Sequence, residues 1–412
     1  MPKTPSSWIR LLTLFTIASM IEAGFWNQMN VFTPLYLPHL GIAQADVRTW
    51  TGLLGAVASL VGLPFLPFWG ALADRYARQP IIVRSFVAHL LAGTLALLAG
   101  NIWVFLLARS IMSLSLGNSG LMMTTLSERT PPQRMGLAFS IMNGGSPVGA
   151  FLGPLLGGPI VDRYGFPALI TIDMVLMLGV VLVMAFGYRD AFVGTNRGSL
   201  LRMAADSIRI IAHSPRLRAL FPAMFLLFTG WQLAFTYISL AVAALYHGSD
   251  LNTATGWVVG LGGIITLVLS PALGALADRL GYWRVLFVMA AAEIVLWPLP
   301  ALTSDLMVFA LLWAAINGIA STVFALSFSV LAGSALPEVR GRVMAYAFLP
   351  ANAGFLLGSV TGTIITQSSV FNVFPVAAVW TLLGLAAMIY ASRRPLAAAP
   401  SAAGALVAVA DD

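Results

Sequence analysis

The sequence predicts an all-α integral membrane protein of twelve transmembrane helices, arranged as two pseudo-symmetric six-helix bundles. Three observations predict this fold: the composition, the number of long apolar runs and an internal repeat. Of the 412 residues, 59% are hydrophobic and 9% are charged, whereas a soluble domain carries about 25% charged residues. A soluble fold has too little interior to hide this much apolar surface, so the composition indicates that lipid surrounds much of the chain.

Twelve apolar runs are each long enough to cross a bilayer, which takes about 20 residues of α-helix. They cover residues 11–36, 52–71, 81–99, 102–125, 135–160, 166–186, 220–246, 256–276, 282–299, 306–331, 343–365 and 373–391. Lipid offers the backbone no hydrogen-bond partner, and the runs lack the alternation of barrel strands. Each run is therefore predicted to be a helix.

The basic residues lie mainly in short segments between these spans. With a cytoplasmic N-terminus, 19 of the 22 Lys and Arg residues fall in or beside cytoplasmic segments, while Arg48 and Arg163 fall outside and Arg109 lies within a span. Because positive charge favours cytoplasmic loops, both termini are predicted to be cytoplasmic. The same distribution explains the net charge of +7 by membrane orientation, so nucleic acid is not expected as a partner.

Composition also divides the chain along its length. An N-terminal bundle, a cytoplasmic linker, a C-terminal bundle and an Ala- and Pro-rich tail are predicted at 1–187, 188–219, 220–394 and 395–412. One face of the linker is apolar and carries Leu200, Leu201, Ala204, Ile208 and Ile211. This pattern indicates an amphipathic helix on the membrane surface, with a plain solvated linker as the alternative. The tail is predicted to be disordered.

The two halves of the chain repeat each other. Gly-Ala-Leu-Ala-Asp-Arg occurs at 70–75 and again 204 residues later, at 274–279. At an offset of 205, glycines of the fifth span match glycines of the eleventh: Gly136 with Gly341, Gly149 with Gly354, Gly153 with Gly358 and Gly157 with Gly362. A sustained offset indicates duplication of a six-helix unit. Two such units are expected to enclose a cavity on the axis between them.

The loop after the second span carries a motif. Residues 70–78 read Gly-Ala-Leu-Ala-Asp-Arg-Tyr-Ala-Arg, which resembles Gly-x-x-x-Asp-Arg-x-Gly-Arg, the signature loop of the major facilitator superfamily. The resemblance covers essentially all twelve spans and implies the major facilitator fold of a secondary transporter. The chain departs from the family pattern at Ala77, where glycine is usual, and at Gln79 and Pro80, where a basic residue is common.

The resemblance further implies a cytoplasmic latch between the halves. Its expected members are Gly70, Asp74, Arg75, Arg78, Glu128, Asp278 and Arg279. An acid beside the positive end of a neighbouring helix is stabilised, and glycine lets backbones approach. Arg78 is predicted to pair with Glu128 near the inner face. Ordinary loop charges that orient the chain in the membrane are the alternative interpretation.

The fifth span contains a second motif, Gly-Ala-Phe-Leu-Gly-Pro-Leu-Leu-Gly-Gly at 149–158. It is similar to Gly-x-x-x-Gly-Pro-x-x-Gly-Gly of the drug/proton antiporter branch, which implies export. The motif residues are Gly149, Gly153, Pro154, Gly157 and Gly158. Glycines at this spacing make a flat stripe for close helix contact, and the proline bends the helix. In the second half, Ser359 stands at the proline position. Generic packing of small residues is the alternative.

Several charged residues lie within predicted spans, where an unpaired charge is costly. Glu22 is predicted to carry the coupled proton, with Arg109 opposite it at a similar depth. Arg109 also resembles the helix-four arginine of the antiporters, although Met112-Ser113 replaces the usual Gln-Gly. Asp173 is a second candidate proton carrier, and a static structural pair is the alternative for Glu22 and Arg109. Glu293 is expected to snorkel or to pack.

Aromatic and polar residues at helical spacing are predicted to line the cavity. They are Phe25, Trp26, Asn27 and Asn30 of the first span, Trp231, Gln232, Phe235 and Tyr237 of the seventh, and Asn317 and Asn352. Aromatic surface with few fixed polar groups favours large apolar or cationic ligands. Packing or lipid contact is the alternative for each residue.

These observations predict a proton-coupled secondary exporter of small amphipathic or drug-like molecules, working by alternating access in a bacterial-type inner membrane. The alternative substrate is a sugar or another polar metabolite. Enzyme activity is not expected, because neither a Walker-type loop nor a nucleophile–base set is visible. We expect a monomer without cofactor or metal, whose partners are a small molecule, protons and lipid. Coupling is expected in the N-terminal half, with the C-terminal half supplying the opposite cavity wall.

Overall fold

The computed structural model describes residues 5–65, 78–115, 118–187, 208–336 and 339–396, and within them the regular structure is helical. The helices follow the order of the predicted spans, and two of them have two parts. They are α1 (Pro5–Tyr36), α2 (Val47–Gly62), α3 (Arg78–Leu97), α4 (Ile102–Met112 and Asn118–Arg129), α5 (Met135–Tyr164), α6 (Phe166–Phe186), α7 (Pro215–Leu245), α8 (Leu251–Leu280), α9 (Tyr282–Leu296), α10 (Leu306–Gly333), α11 (Arg340–Ala345 and Phe348–Ile365) and α12 (Val373–Ser392).

The predicted all-α membrane fold is confirmed. In the part of the chain described, ten helical segments are long and apolar enough to cross a membrane. The two remaining spans correspond to α2 and α5. The 30 residues of α5 are long enough to span but include several glycines and three internal prolines, which are less apolar than leucine or valine. The predicted second span runs past the last described residue of its segment, Phe65.

Polar and glycine residues set several helix ends. Asn101, Ser214 and Asp305 accept hydrogen bonds from backbone N–H groups at the starts of α4, α7 and α10, which satisfies donors that have no partner inside the helix. Gly165 and Gly281 have φ of 82° and 93°, a left-handed conformation that favours glycine. They form the single-residue turns that join α5 to α6 and α8 to α9.

Within each half, a glycine stripe brings two helices into backbone contact. A Cβ on Gly149 of α5 would overlap the carbonyl oxygen of Met20 in α1. A Cβ on Gly354 of α11 would lie 2.6 Å from the carbonyl oxygen of Phe225 in α7. Glycine is therefore required for these helices to approach so closely. The repeat-related glycines have the same role in the two halves.

The halves meet along two helix pairs, α5 with α8 and α2 with α11. A Cβ on Gly256 of α8 would overlap the carbonyl oxygen of Pro154, and one on Gly52 of α2 would lie 2.6 Å from the carbonyl oxygen of Ser359. Gly52 and Gly256 are 204 residues apart, so the two contacts are related by the repeat. Both lie towards the end of the bundle that carries the α1–α2 and α7–α8 loops. We call this the distal end, and the end where α1 begins and α12 ends the proximal end.

Much of the predicted linker and tail falls outside the described residues, including Leu200, Leu201 and Ala204 of the amphipathic face. The described part is a short helical stretch, 208–213, before α7. There Ile211 packs against the core of the C-terminal half, whereas Ile208 is 53% exposed. The domain boundaries at 187, 219 and 394 remain predictions.

Candidate functional site

A cavity of about 770 Å³ lies between the two halves, lined by residues from α1, α5 and α7 to α11. Its lining on α5 runs from Ser140 to Ala150, and on α8 from Val259 to Pro271. These stretches are the middle and proximal parts of both helices. The distal parts of α5 and α8 contact each other instead. The cavity is thus closed over at the distal end, and its volume suits a drug-sized molecule.

Four stacked rings form one side of the cavity, which we call the aromatic wall. Trp26 of α1 stacks on Phe235 of α7 with centroids 6.3 Å apart, and Phe235 stacks on Trp231 at 4.9 Å and on Trp313 of α10 at 6.5 Å. The Trp26–Phe235 pair crosses between the halves. Broad ring faces attract aromatic groups and cations.

A polar chain orients the amide beside this wall. The indole N–H of Trp231 donates to Oδ1 of Asn317 at 3.4 Å, and the Asn317 amide donates to Oγ1 of Thr266 at 3.1 Å. Thr266 in turn lies 3.4 Å from the hydroxyl of Ser321. These contacts fix which way the Asn317 amide faces. The cavity therefore combines an aromatic wall with a small set of positioned polar groups.

The structure places half of the predicted cavity residues at the cavity. Trp26, Asn27, Trp231, Phe235 and Asn317 are among its lining residues. On α1 and α7, helical spacing identified the side that faces the cavity, and Asn317 of α10 was identified by its polarity at membrane depth.

The other predicted cavity residues lie elsewhere, among neighbours within one half or at the junction of the halves. Phe25 is 1% exposed and meets the ring of His89 edge-on at 5.8 Å. Gln232 and Asn352 bond within their own helices, to Thr236 and Phe348, respectively. Tyr237 donates to the carbonyl of Ser359, and Asn30 accepts from Arg109. Residues next to each other on a helix face different neighbours, so these assignments to the cavity are corrected.

Glu22 is the centre of a buried polar cluster in the N-terminal half. The amide of Asn118 donates to both Glu22 carboxylate oxygens at 2.8 Å. Nδ1 of His89 lies 3.4 Å from Oε1 of Glu22 and 3.2 Å from the carbonyl oxygen of Ser85. Nε2 of His89 lies 3.3 Å from the hydroxyl of Ser115. The cluster joins α1, α3 and α4, and Glu22 is not among the residues that line the cavity.

Arg109 does not lie opposite Glu22, which corrects the predicted pairing. Its guanidinium donates to Oδ1 of Asn30 at 2.7 Å, while its Nε is buried without a partner in the described part of the chain. Asn30 is eight residues beyond Glu22, about 12 Å along the axis of α1. The two charges therefore contact α1 at different depths.

The remaining predicted acids differ in their surroundings. Asp173 of α6 is 7% exposed, and no hydrogen-bond or ion-pair partner for it is found among the described residues. Glu293 of α9 is 4% exposed and lines the cavity. The expectation that Glu293 snorkels or merely packs is therefore corrected. Its helix packs against α8, α10 and α12, and Glu293 is among the residues that line the cavity between the halves.

Sequence reasoning missed two partners of Glu22, His89 and Asn118. The available signal was their polarity within apolar runs, at 81–99 and 102–125. A polar side chain at membrane depth usually faces the bundle interior. Which acid it meets there depends on how α3 and α4 rotate against α1, and helical periodicity does not provide that rotation.

The predicted latch is observed in part. Nη1 of Arg78 lies 2.9 Å from Oε1 of Glu128, so the predicted pairing is confirmed. This ion pair joins α3 to α4 within one half. Asp278 accepts a hydrogen bond from the hydroxyl of Tyr282 at 2.6 Å, and Arg279 is exposed. Gly70, Asp74 and Arg75 lie outside the described residues, and the latch as a whole remains a prediction.

The glycine–proline motif of α5 faces two helices. Gly153 packs against Gly24 of α1, and its carbonyl accepts from the amide of Gln28 at 2.9 Å. On the other side, a Cβ on Gly158 would overlap the carbonyl oxygen of Asn252 at the start of α8. Gly157 lies against Leu169 of α6 and Gln28. The predicted close helix contact is present, and the motif also contacts α8 of the C-terminal half.

At the distal end, one carboxylate bridges the halves. Asp162, near the end of α5 and past the predicted apolar span, accepts four hydrogen bonds of 2.6–3.1 Å from the backbone and side chains of Asn252 and Thr253. We call this contact the distal clamp. Partial burial raises the pKa of Asp162, but the hydrogen bonds from Thr253 and Asn252 together outweigh it and hold the pKa below its usual value. The start of α8 also presents a positive helix end to the carboxylate.

Comparison with known protein families identifies this architecture. The sequence pattern of the Major Facilitator Superfamily matches the chain over two overlapping ranges, 14–296 and 220–410. The chain belongs to the major facilitator superfamily. It is therefore a multi-pass membrane transporter with a small-molecule substrate, embedded in a lipid bilayer.

Curated relatives and solved structures agree with this membership. The chain is 27% identical over 369 residues to multidrug resistance protein MdtG of Enterobacter lignolyticus, covering 88% of this chain and 86% of that protein. It is 26% identical over 370 residues to MdtG of Salmonella typhi, covering 89% and 91%. The fold is similar to that of a D-xylose–proton symporter, with a TM-score of 0.75, 15% identity and 95% and 99% coverage. It is also similar to that of the human organic anion transporter MFSD10, with a TM-score of 0.70 and 17% identity. The match covers 93% of this chain and 99% of that protein.

Proposed function

We propose that this transporter is a proton-coupled secondary exporter of small amphipathic or drug-like molecules. The observation that carries the proposal is the 770 Å³ cavity with an aromatic wall between the two halves. Large ring surfaces with few fixed polar groups bind chemically varied apolar or cationic molecules without demanding one shape. The similarity to two proteins named MdtG, multidrug resistance proteins, supports the same substrate class.

The repeat-related contacts support alternating access as the mode of transport. The distal end is held by α5–α8 and α2–α11, two helix pairs that the duplication makes equivalent. Rocking of one half against the other can open both pairs together, while the cavity stays at the axis. With both termini in the cytoplasm of a bacterial-type inner membrane, the cavity lies on the cytoplasmic side of this closure. Such a state takes up its substrate from the cell interior, as export requires.

Proton coupling is assigned to the Glu22 cluster. An ionised carboxylate accepts a hydrogen bond at both oxygens, as Glu22 does from Asn118. Protonation converts one oxygen into a donor, which removes one of these bonds. Ala23, Trp26 and Asn27 of the same helix line the cavity. A change in the bonding of Glu22 therefore acts on the helix that contacts the substrate, and we propose that the chain does this as a monomer.

Resistance profiling tests the export function. The full chain is expressed in a bacterial host without its own efflux pumps, and inhibitory concentrations are measured for amphipathic compounds of varied chemistry. We expect several-fold higher inhibitory concentrations for a subset of compounds with aromatic groups. Trp231→Ala removes one indole of the aromatic wall and its hydrogen bond to Asn317, and it is expected to abolish this gain, whereas Trp283→Ala, outside the cavity, leaves it. An unchanged profile for every compound would refute the proposal.

A second candidate substrate is a sugar or another polar metabolite. The observation that favours it is the group of polar lining residues on α5, Ser140, Asn143 and Ser146. Their hydroxyl and amide groups can form hydrogen bonds with a polyol. Rescue of sugar growth in an uptake-deficient host, together with an unchanged resistance profile, would favour this candidate over the first.

A further inference from the structure

The side chain of Glu293 stands apart from the other acids of the protein. It is 4% exposed, it lines the cavity, and no hydrogen bond or ion pair of its carboxylate is found within the described ranges. Of the lining residues among those described, Glu293 is the one with a charged side chain. Glu22, in contrast, has Asn118 as its partner and lies outside the lining.

A buried carboxylate without a partner is costly in its charged form, because low-polarity surroundings do not replace the water that it loses. A cation in the adjacent space removes that cost by forming an ion pair. The protein supplies no such cation here, since the described lining holds no Lys, Arg or His. A positively charged ligand in the cavity would supply the ion-pair partner that the described lining lacks.

The aromatic wall adds to this preference. Trp231 and Trp313, which stack on Phe235, line the same cavity as Glu293. A cation near an indole face is attracted by the negative face of the ring.

We infer that Glu293 is the recognition residue for organic cations that carry aromatic groups, bound in the cavity between the carboxylate and the aromatic wall. This inference rests on the proposed function and names its substrate class. Glu293 of α9 and His89 of α3 are 204 residues apart, so they are equivalent positions of the repeat. His89 contacts Glu22 within the N-terminal half, whereas Glu293 lines the cavity.

Two ions of equal shape and opposite charge test the inference. The purified full chain in lipid nanodiscs is dialysed to equilibrium with tetraphenylphosphonium or with tetraphenylborate, and binding to empty nanodiscs is subtracted. We expect Glu293→Gln to weaken tetraphenylphosphonium binding about tenfold or more, since truncating one side of a buried ion pair is costly. Tetraphenylborate binding should stay the same or strengthen. Glu293→Asp, which keeps the charge, should retain most of the phosphonium affinity.

The matched control is Asp46→Asn, which removes one negative charge from an exposed loop and should leave both affinities unchanged. Equal phosphonium binding by the wild type and Glu293→Gln overturns the inference. Equal weakening of tetraphenylphosphonium and tetraphenylborate binding in Glu293→Gln also overturns the inference, because it indicates damage to the cavity and not loss of charge recognition. If the wild type binds neither ion but confers resistance, the inference fails and the proposed export function stands. If resistance is absent as well, the proposed function fails too.

Discussion

At the scale of single residues, Glu22 takes both of its carboxylate hydrogen bonds from one amide. The Nδ2 group of Asn118 lies 2.8 Å from each oxygen, and Asn118 is the first residue of the second part of α4. The interruption of α4 after Met112 therefore sets where this amide sits. A proton on Glu22 changes an interaction between α1 and α4, not one within a single helix.

Replacing this amide should weaken coupling without removing substrate binding. In Asn118→Ala we expect proton movement driven by substrate to fall about tenfold, because one hydrogen bond to a charged group is worth roughly 1.5–3 kcal/mol. Equilibrium binding of the same substrate should stay within a factor of two. The measurement is the luminal pH of proteoliposomes that carry a pH-sensitive dye.

The control for this substitution is Thr124→Ala, an exposed residue of the same helix whose hydroxyl donates to the backbone carbonyl of Gly120. It should couple normally. Normal coupling in Asn118→Ala as well would show that the amide has no part in proton transfer.

At the scale of helices, the contact between α1 and α5 depends on one glycine. A Cβ on Gly149 would overlap the carbonyl oxygen of Met20, and backbone atoms cannot move aside as a flexible side chain can. We expect Gly149→Ala to destabilise the protein by about 1–3 kcal/mol, as overpacking does in other cores. The thermal unfolding midpoint in detergent should fall accordingly.

Gly136→Ala is the matched control, since it adds the same methyl group to the same helix where nothing lies within 4 Å. Its unfolding midpoint should be equal to or above that of the wild type, because alanine favours the helix over glycine. A Gly149→Ala protein as stable as the control would contradict the close packing of α1 and α5.

The distal clamp makes closure of the distal end depend on pH. Hydrogen bonds from Thr253 and Asn252 hold the pKa of Asp162 below its usual value while the halves are closed. When they separate, Asp162 faces water and its pKa returns to the usual range of an aspartate side chain. The open state therefore binds the proton first as the pH falls, so acid weakens closure. The hydrogen bonds of ionised Asp162 stabilise the closed state fully at pH values above the pKa that Asp162 has in the open state.

Spin labels can measure this opening, and the chain contains no cysteine to remove first. Cysteines at two exposed distal positions, Tyr164→Cys and His247→Cys, report the separation of the halves. We expect a constant distance distribution between pH 8 and pH 5 and a longer one below about pH 4. Asp162→Asn should show the longer distance across this range. A distance that lengthens in the wild type between pH 8 and pH 5 would contradict the assignment to Asp162.

The two bridges that close the distal end are formed by different residues at equivalent positions of the repeat. Shifted by 205, Asp162 corresponds to Gln367, and shifted by 204, Thr253 corresponds to Thr49. The Gln367 amide lies 3.3 Å from the hydroxyl of Thr49, and Arg48 donates to the carbonyl of Gln367 at 3.1 Å. Both helix pairs are thus bridged at equivalent places, but only the α5–α8 bridge is formed by a carboxylate. Acid is therefore expected to loosen one side of the closure and not the other.

At the scale of the whole molecule, the sequence could predict the order of the helices and several of the close contacts between them. The spans follow from apolar length, and the helix contacts at Gly149 and Gly354 follow from the small-residue motif and its repeat. The Arg78–Glu128 pair followed from placing both residues at the same membrane face. These features depend on sequence spacing alone.

The partner of each buried group could not be predicted in this way. Phe25 and Trp26 are neighbours on α1, yet Phe25 packs against His89 while Trp26 lines the cavity. Successive helical residues point about 100° apart, so a small rotation of α1 exchanges their surroundings. For the same reason Glu22 meets Asn118 instead of Arg109, and Glu293 reaches the cavity from a helix expected to be peripheral.

Two buried acids with different surroundings belong to different halves of the molecule, Glu22 to the N-terminal half and Glu293 to the C-terminal half. The expectation that the N-terminal half couples to protons stays a proposal, centred on Glu22 and its partners His89 and Asn118. The C-terminal half supplies more than an opposite wall, because the cavity carboxylate belongs to Glu293. The proposed proton site and the proposed substrate site are therefore separate, and both include residues of α1.

Gradient-driven transport by Glu22→Gln is the decisive test of Glu22 as the proton carrier. Inside-out membrane vesicles with an acidified lumen are given a fluorescent drug chosen from the resistance profile, and uptake is followed with and without collapse of the pH gradient by nigericin. For the wild type we expect accumulation that nigericin abolishes. For Glu22→Gln we expect exchange of drug across the membrane but no accumulation, whether nigericin is present or not. Accumulation by Glu22→Gln that equals the wild type and still disappears with nigericin would contradict Glu22 as the proton carrier.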